Sequence, residues 1–332
     1  MTTNDLPITP APSLASFFAS LELGAPSAAD DLTVFPLLSH LNETAWYDTL
    51  SDAVTAGRAR VTEIGDAGTV PELRVVNDGE RPLLIVDGEE LVGAKQNRVV
   101  NLTILVPAKT TLTIPVSCVE AGRWRSVGSE FVPADRAYHA SGRQEKMEQV
   151  TVSLRSSATR RSDQGAIWQE IAAKSERLGA TSDTSAAAAM FEQRRASLDR
   201  FVETLQPVER QVGAVFAIRG RIAGLDAFDQ PATWRRLMPK LLRSYGLDSV
   251  DHAVGGDGFS RPEPERFLKA ASLTKVDVFP AVGLGQDLRF DGGDIVGGAL
   301  TTDRGIVHVA VFPTRGPVRP RTTRQRHGPP SR

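Results

Sequence analysis

Residues 83–124 read LLIVDGEELVGAKQNRVVNLTILVPAKTTLTIPVSCVEAGRW, two strongly apolar runs enclosing a block of charged and amide side chains. Alternating branched residues predict strands over Arg98–Val106 and Thr111–Val119. Folded back about Pro107–Thr111, these strands pair in a register that sets Val100 against Cys118, Leu102 against Val116, Ile104 against Ile114 and Val106 against Leu112. The same register places Arg98 opposite Glu120. Facing side chains of an antiparallel pair lie about 5 Å apart at Cβ, so the expectation is a cross-strand ion pair at the rim of a core face. Glu89, Glu90, Lys95, Gln96, Asn97 and Asn101 crowd beside it.

Such a concentration of polar groups needs a reason. Surface ion pairs contribute only about 0–1 kcal/mol, whereas a charge on the core face is costly unless it is paired. Two readings stay open: a structural ion pair, or a recess that holds a polar ligand. In the second, Lys95 and Arg98 would hold an anion such as phosphate. Gln96, Asn97 and Asn101 would read hydroxyl or amide groups, and Glu89, Glu90 or Glu120 would serve as general base or bind a metal. Cys118 alternates with Leu112, Ile114 and Val116 and is expected on the apolar face, where desolvation keeps a thiol inert. A nucleophilic role would instead need an open sheet end, with Arg98 or Lys95 to hold a thiolate.

Outward from this block the composition is ordinary. The chain has 332 residues, 41% hydrophobic and 24% charged, and a formal net charge of −1. Near-neutral charge gives no general attraction to nucleic acid or anionic lipid. A single cysteine rules out an intrachain disulfide or a cysteine-rich metal site and suits a reducing compartment. No basic leader or long apolar run suggests secretion or a membrane span, so a soluble cytoplasmic protein is expected. No GxGxxG, Walker-type or GxSxG motif is found, and His40, His139, His252, His308 and His327 are scattered. No metal site is assigned and no cofactor is named.

Residues 1–30, rich in Ala, Pro, Ser and Thr, are expected to be a disordered leader with one helical turn at Leu14–Leu23. Residues 314–332 hold six arginines and four prolines and are expected to be a solvated basic tail. Without interleaved aromatics that tail is a poor nucleic-acid arm. Between the tails, strands are expected at Glu72–Val76, Leu83–Val86, Val276–Val282, Ala299–Thr302 and Ile306–Phe312, with a hairpin Val212–Ile218/Ile222–Phe228. Helices are expected at Ala166–Leu178, Ser185–Leu205, Pro231–Tyr245 (capped by Asp229 and stopped by Gly246) and around Glu263–Ala271. Arg136–Gly165 has few large apolar residues and reads as a long excursion or loop. Strands, then helices, then strands make the class α+β: a mainly antiparallel sheet with a helical middle section packed on it.

Asp87–Arg98, Ile114–Glu120 and Gly122-Arg123-Trp124 resemble the ARG and Rhodanese-Phosphatase-superfamily-associated protein family, named for its association with ADP-ribosylglycohydrolases and Rhodanese-phosphatase enzymes. Ala214–Phe228, the Trp234 helix with Ser244-Tyr245, and Val307–Ala310 extend the likeness over residues 32–313, a single α+β domain. The resemblance implies work near the metabolism of NAD-derived nucleotides or ADP-ribose conjugates, and assigns no catalytic residue. The expectation is therefore a protein that binds a phosphorylated, nucleotide-like small molecule, with hydrolysis of it left open. The rival expectation is a non-catalytic binding or scaffold module for a protein partner, its polar block exposed on a convex surface.

Overall fold

The computed structural model describes residues 14–40, 45–65, 71–123, 128–251 and 263–314. The class is α+β, and the strands form three sheets. Nine antiparallel strands make the largest, with Leu32–Leu38, Gln211–Ile218, Arg221–Phe228, Gly305–Pro313, Ile295–Thr302 and Gln286–Gly292 adjacent in that order. A closed six-stranded barrel is built from Ala59–Thr62, Glu72–Asn77, Glu89–Gly93, Arg98–Val100, Thr110–Cys118 and Glu130–Ala137. A small sheet of Asp48–Thr49, Leu83–Ile85 and Ile104–Val106 lies beside it.

Much of this follows the local pattern. The hairpin forms as expected and turns at Arg219-Gly220, whose φ angles of 49° and 76° suit the tight turn that matches strand twist. Helix Gln164–Leu178 is capped by Asp163 and ends at Gly179 in the left-handed conformation. From residue 14 the expected leader is ordered, with helix Leu14–Ala19 and strands Glu22–Leu23 and Ser27–Ala29. The basic tail from residue 315 lies outside the described residues.

Four expectations are corrected. Residues 98–106 are two strands rather than one, Arg98–Val100 in the barrel and Ile104–Val106 in the small sheet. Ser185–Leu205 breaks at Arg194 into Ala188–Gln193 and Arg195–Thr204. Helix Pro231–Val250 runs on past Gly246, and its cap position is Gln230. A Cβ at Gly246 would lie 2.7 Å from Phe201 Cδ2, so this glycine admits the neighbouring helix instead of ending its own.

The fourth correction is the largest. The expected excursion contains an 18-residue helix, Ala140–Ser157, whose buried face includes Arg143, Gln144, Lys146 and Thr151 as well as Met147, Val150 and Leu154. A helix that buries cations shows no apolar stripe. Its cations are matched by one carboxylate from the largest sheet, Asp226, and one from the turn between Leu83–Ile85 and Glu89–Gly93, Asp87. Arg143 donates to Asp226 through Nη1 at 3.0 Å and Nη2 at 2.6 Å, and to Asp87 through Nε at 3.2 Å. Lys146 Nζ donates to Asp87 and to the carbonyls of Val100 (2.8 Å) and Asn101 (3.1 Å). Those carbonyls sit where the strand expected over 98–106 breaks, so the lysine replaces a strand neighbour. Gly88, at φ 81°, leaves room for Arg143: a Cβ there would lie 2.7 Å from Arg143 Cδ.

Asp226 also accepts from Tyr245 Oη at 2.9 Å and faces His308 Nε2 at 3.2 Å. Burial would raise its pKa, but the Arg143 charge and the hydrogen bonds from His308 and Arg143 bring it down to about 2. A carboxylate with a lowered folded pKa adds stability above its unfolded value, near pH 4, and loses it as pH falls toward about 2. Asp226→Asn should therefore cost about 3–5 kcal/mol at pH 7, measured by urea denaturation, and flatten the acid limb of stability between about pH 4 and pH 2. An unchanged acid limb would remove Asp226 from this role. Gly246→Ala should destabilise by about 1 kcal/mol, since overpacking against buried Phe201 (about 1–3 kcal/mol) outweighs about 1 kcal/mol of gained helix propensity; a raised urea midpoint would show that the Phe201 ring yields.

Candidate functional site

The barrel interior is filled by Ala59, Val61, Leu73, Val75, Leu91, Val100, Ile114, Val116 and Phe131. Strand side chains alternate with period two. Two residues beyond Val61 comes Glu63, two before Val100 comes Arg98, and two beyond Val116 comes Cys118. Three rows of apolar interior positions thus end in a carboxylate, a guanidinium and a thiol. Arg98 is fully buried and its Nη2 lies 3.9 Å from Glu63 Oε1.

The register here differs from the expected one by two residues. Val116 pairs with Val100, Ser117 with Val99 and Cys118 with Arg98, while Thr110–Pro115 pairs with Glu72–Asn77. The expected partnerships of Leu102 with Val116, Ile104 with Ile114 and Val106 with Leu112 are therefore replaced, and Arg98 faces Cys118 instead of Glu120. A register set by the turn alone needs residues 101–106 in the ladder, and Lys146 and the small sheet take them out of it.

Glu120 lies just past this end of the barrel with its own set of donors. Arg123 Nη2 reaches its Oε2 at 2.7 Å, Asn97 N–H donates to the same oxygen at 3.1 Å, and Thr184 Oγ1 donates to Oε1 at 2.7 Å. Burial alone would raise its pKa; the hydrogen bonds from Arg123, Thr184 and Asn97 win and hold it low. So stabilised, it is a weak base. Glu90 is on the outer wall, held by Arg136 at 2.5 and 3.1 Å, with Arg136 also 5.3 Å from the centre of the Phe191 ring. Glu90 and Glu120, both expected as bases, do not meet.

Gln96 joins the interior group. Its Oε1 accepts from Arg98 Nη1 and from Cys118 Sγ, each at 3.0 Å, while its Nε2 donates to the Glu120 carbonyl at 2.8 Å. Asn97 Oδ1 accepts from Arg123 Nη2 at 3.0 Å and from Gly93 N–H at 3.3 Å. Asn101 turns elsewhere: it donates to the Arg160 carbonyl at 2.9 Å and accepts from Ser117 Oγ at 2.6 Å, fastening the segment before helix Gln164–Leu178. Lys95 is half-buried in the turn after Gly93, between Ala94 at φ 39° and Gln96.

Cys118 is buried, and burial pushes its thiol pKa up, with a hydrogen bond from the Glu120 backbone and the Arg98 charge offsetting part of the rise. Burial likewise lowers the Arg98 pKa, opposed by Cys118 and Glu63. The Cys118 backbone is clasped by the Gln164 side chain, which accepts from its N–H at 2.8 Å and donates to its carbonyl at 2.7 Å, standing in for a neighbouring strand. The thiol sits as a packed, weakly acidic group, consistent with a structural role.

Glu63 is the member that sequence reasoning missed. Both its carboxylate oxygens are buried, and among the described residues neither has a hydrogen-bond partner. The available signal was the alternation Ala59, Val61, Glu63, hidden in a four-residue strand whose other positions, Arg60 and Thr62, are polar.

Comparisons with known proteins bear on what holds this site. No curated protein matches the chain, and no solved structure does. One protein family matches residues 20–312, which takes in the barrel, the large sheet and the helices between them. The chain belongs to the family of the ARG and Rhodanese-Phosphatase-superfamily-associated Protein domain.

Proposed function

We propose that the polar end of the barrel binds a small phosphorylated, nucleotide-like ligand, and that its hydroxyl-bearing part seats against Glu63 and Arg98 at that end. The observation that carries this reading is the Glu63 carboxylate, 10% exposed, buried without a hydrogen bond among the described residues and 3.9 Å from a guanidinium nitrogen. Buried carboxylates are expected to accept hydrogen bonds. A ligand hydroxyl both donates, to Glu63, and accepts, from Arg98.

Charge decides which part of the ligand goes where. Glu63 and Glu120 are balanced by Arg98 and Arg123, so the interior group is neutral overall. A phosphate carried among these carboxylates would be repelled, whereas sugar hydroxyls would not. Lys95, in the turn at the rim, is the cation suited to the phosphate. A hydrolytic step would use Glu63 as base, because Glu90 and Glu120 are already committed to Arg136 and Arg123. A scaffold surface suits the geometry less well, because Gln96, Asn97 and Arg98 are at most 6% exposed.

Thermal shift with ADP-ribose, NAD and AMP tests the reading. At least one should raise the melting temperature, since a ligand at 100 times its Kd stabilises by about 2.7 kcal/mol. Glu63→Gln and Lys95→Ala should each weaken that ligand roughly tenfold, about 1.4 kcal/mol. If all three nucleotides leave the native chain unshifted, the reading fails.

A further inference from the structure

A second polar enclosure lies on the other side of the break at Leu102-Thr103, where the helix Ala140–Ser157 and the largest sheet meet. Asp87, Thr103, Asp287, Arg289, Gly298 and His308 contribute to its lining. The space within lets the centre of a water-sized sphere range over about 10 Å³, which is room for one water molecule and no more.

Its polar lining is held in a hydrogen-bonded chain. Asp226 is an acceptor, so His308 Nε2, 3.2 Å away, carries a proton. On its other side the ring Nδ1 shares a hydrogen bond of 2.7 Å with Thr103 Oγ1. The same hydroxyl accepts from Asp87 N–H at 3.1 Å. On the opposite wall Arg289 is 2% exposed and gives Nε and Nη2 to Asp287 at 2.8 and 3.1 Å. Its remaining nitrogen, Nη1, is buried and has no hydrogen-bond partner among the described residues. Gly298 flanks that nitrogen: a Cβ there would stand 3.2 Å from Nη1.

We infer that this enclosure is a binding site for a single water molecule that accepts a hydrogen bond from Arg289 Nη1 and donates to the carboxylate and hydroxyl oxygens around it. The lining selects against the other occupants of that size. A cation has no lone pair to give Arg289. A halide could accept from Arg289 Nη1 but has no proton to give Asp87, Asp287 or Thr103. Water alone both accepts from the guanidinium and donates to the carboxylates. So placed, it joins the Arg289–Asp287 pair of the largest sheet to the Asp87 group of the neighbouring layer, two clusters with no direct hydrogen bond between them among the described residues.

The test uses the full chain and two substitutions at Gly298. A crystal structure at about 1.5 Å should show one spherical density peak within hydrogen-bond distance of Arg289 Nη1. Gly298→Ala should displace the water without replacing its acceptor, lowering the melting temperature by about 2–4 °C. Gly298→Ser adds the same Cβ but supplies an oxygen beside Nη1, and should recover at least half of that loss. No density at the site, density too large for water, or a serine variant as unstable as the alanine one would each overturn the inference.

Discussion

A helix that carries its charges inward holds the molecule together. Arg143 and Lys146, one turn apart on Ala140–Ser157, are both fully buried, and each needs acceptors that no single sheet provides. Asp226 comes from the centre of the nine-stranded sheet, Asp87 from the connection between the small sheet and the barrel. An unpaired buried charge is so unfavourable that the helix can dock only where both carboxylates arrive together. The relative placement of barrel and sheet is set by that requirement as much as by apolar packing.

The consequences spread outward. Because Lys146 takes the carbonyls of Val100 and Asn101, the strand that begins at Arg98 stops at Val100, and the chain crosses to the small sheet. That crossing sets the barrel register by which Arg98 meets Cys118 and Glu63 rather than Glu120. Other buried cations repeat the pattern: Lys174 with Asp248 and Asp251 between helices, Lys240 with Glu89 between helix and barrel, and Arg136 with Glu90 between neighbouring barrel strands. All four carboxylates of the Asp87–Glu120 block are therefore already paired with cations. Glu63, at the end of an interior row, stands apart from them.

Legibility in the sequence divides along the same line. The hairpin at Arg219-Gly220, the helix from Asp163 to Gly179 and the strands at Glu72–Asn77 and Gly305–Pro313 were readable because each rests on local chemistry: a turn, a cap, or apolar alternation. The polar block from Glu89 to Glu120 was readable as unusual, and Gln96, Asn97, Arg98 and Glu120 do gather at one end of the barrel. Glu90 and Asn101 could not be separated from them by inspection, since in a strand a difference of one residue moves a side chain to the other face. Nor could helix Ala140–Ser157 be seen, because the 3.6-residue signal reports an apolar stripe and this stripe holds arginine, glutamine and lysine.

By itself, then, the sequence determined the α+β class, most element positions, the family and the region where polar groups cluster. Tertiary structure alone decided the strand register, which carboxylate serves which cation, and the identity of Glu63 as a member of the site. The physical reason is range. Backbone preferences and apolar periodicity act over a few residues, whereas a buried charge is satisfied by whichever opposite charge the fold brings within about 3 Å, here from 56 to 83 residues along the chain for Arg143.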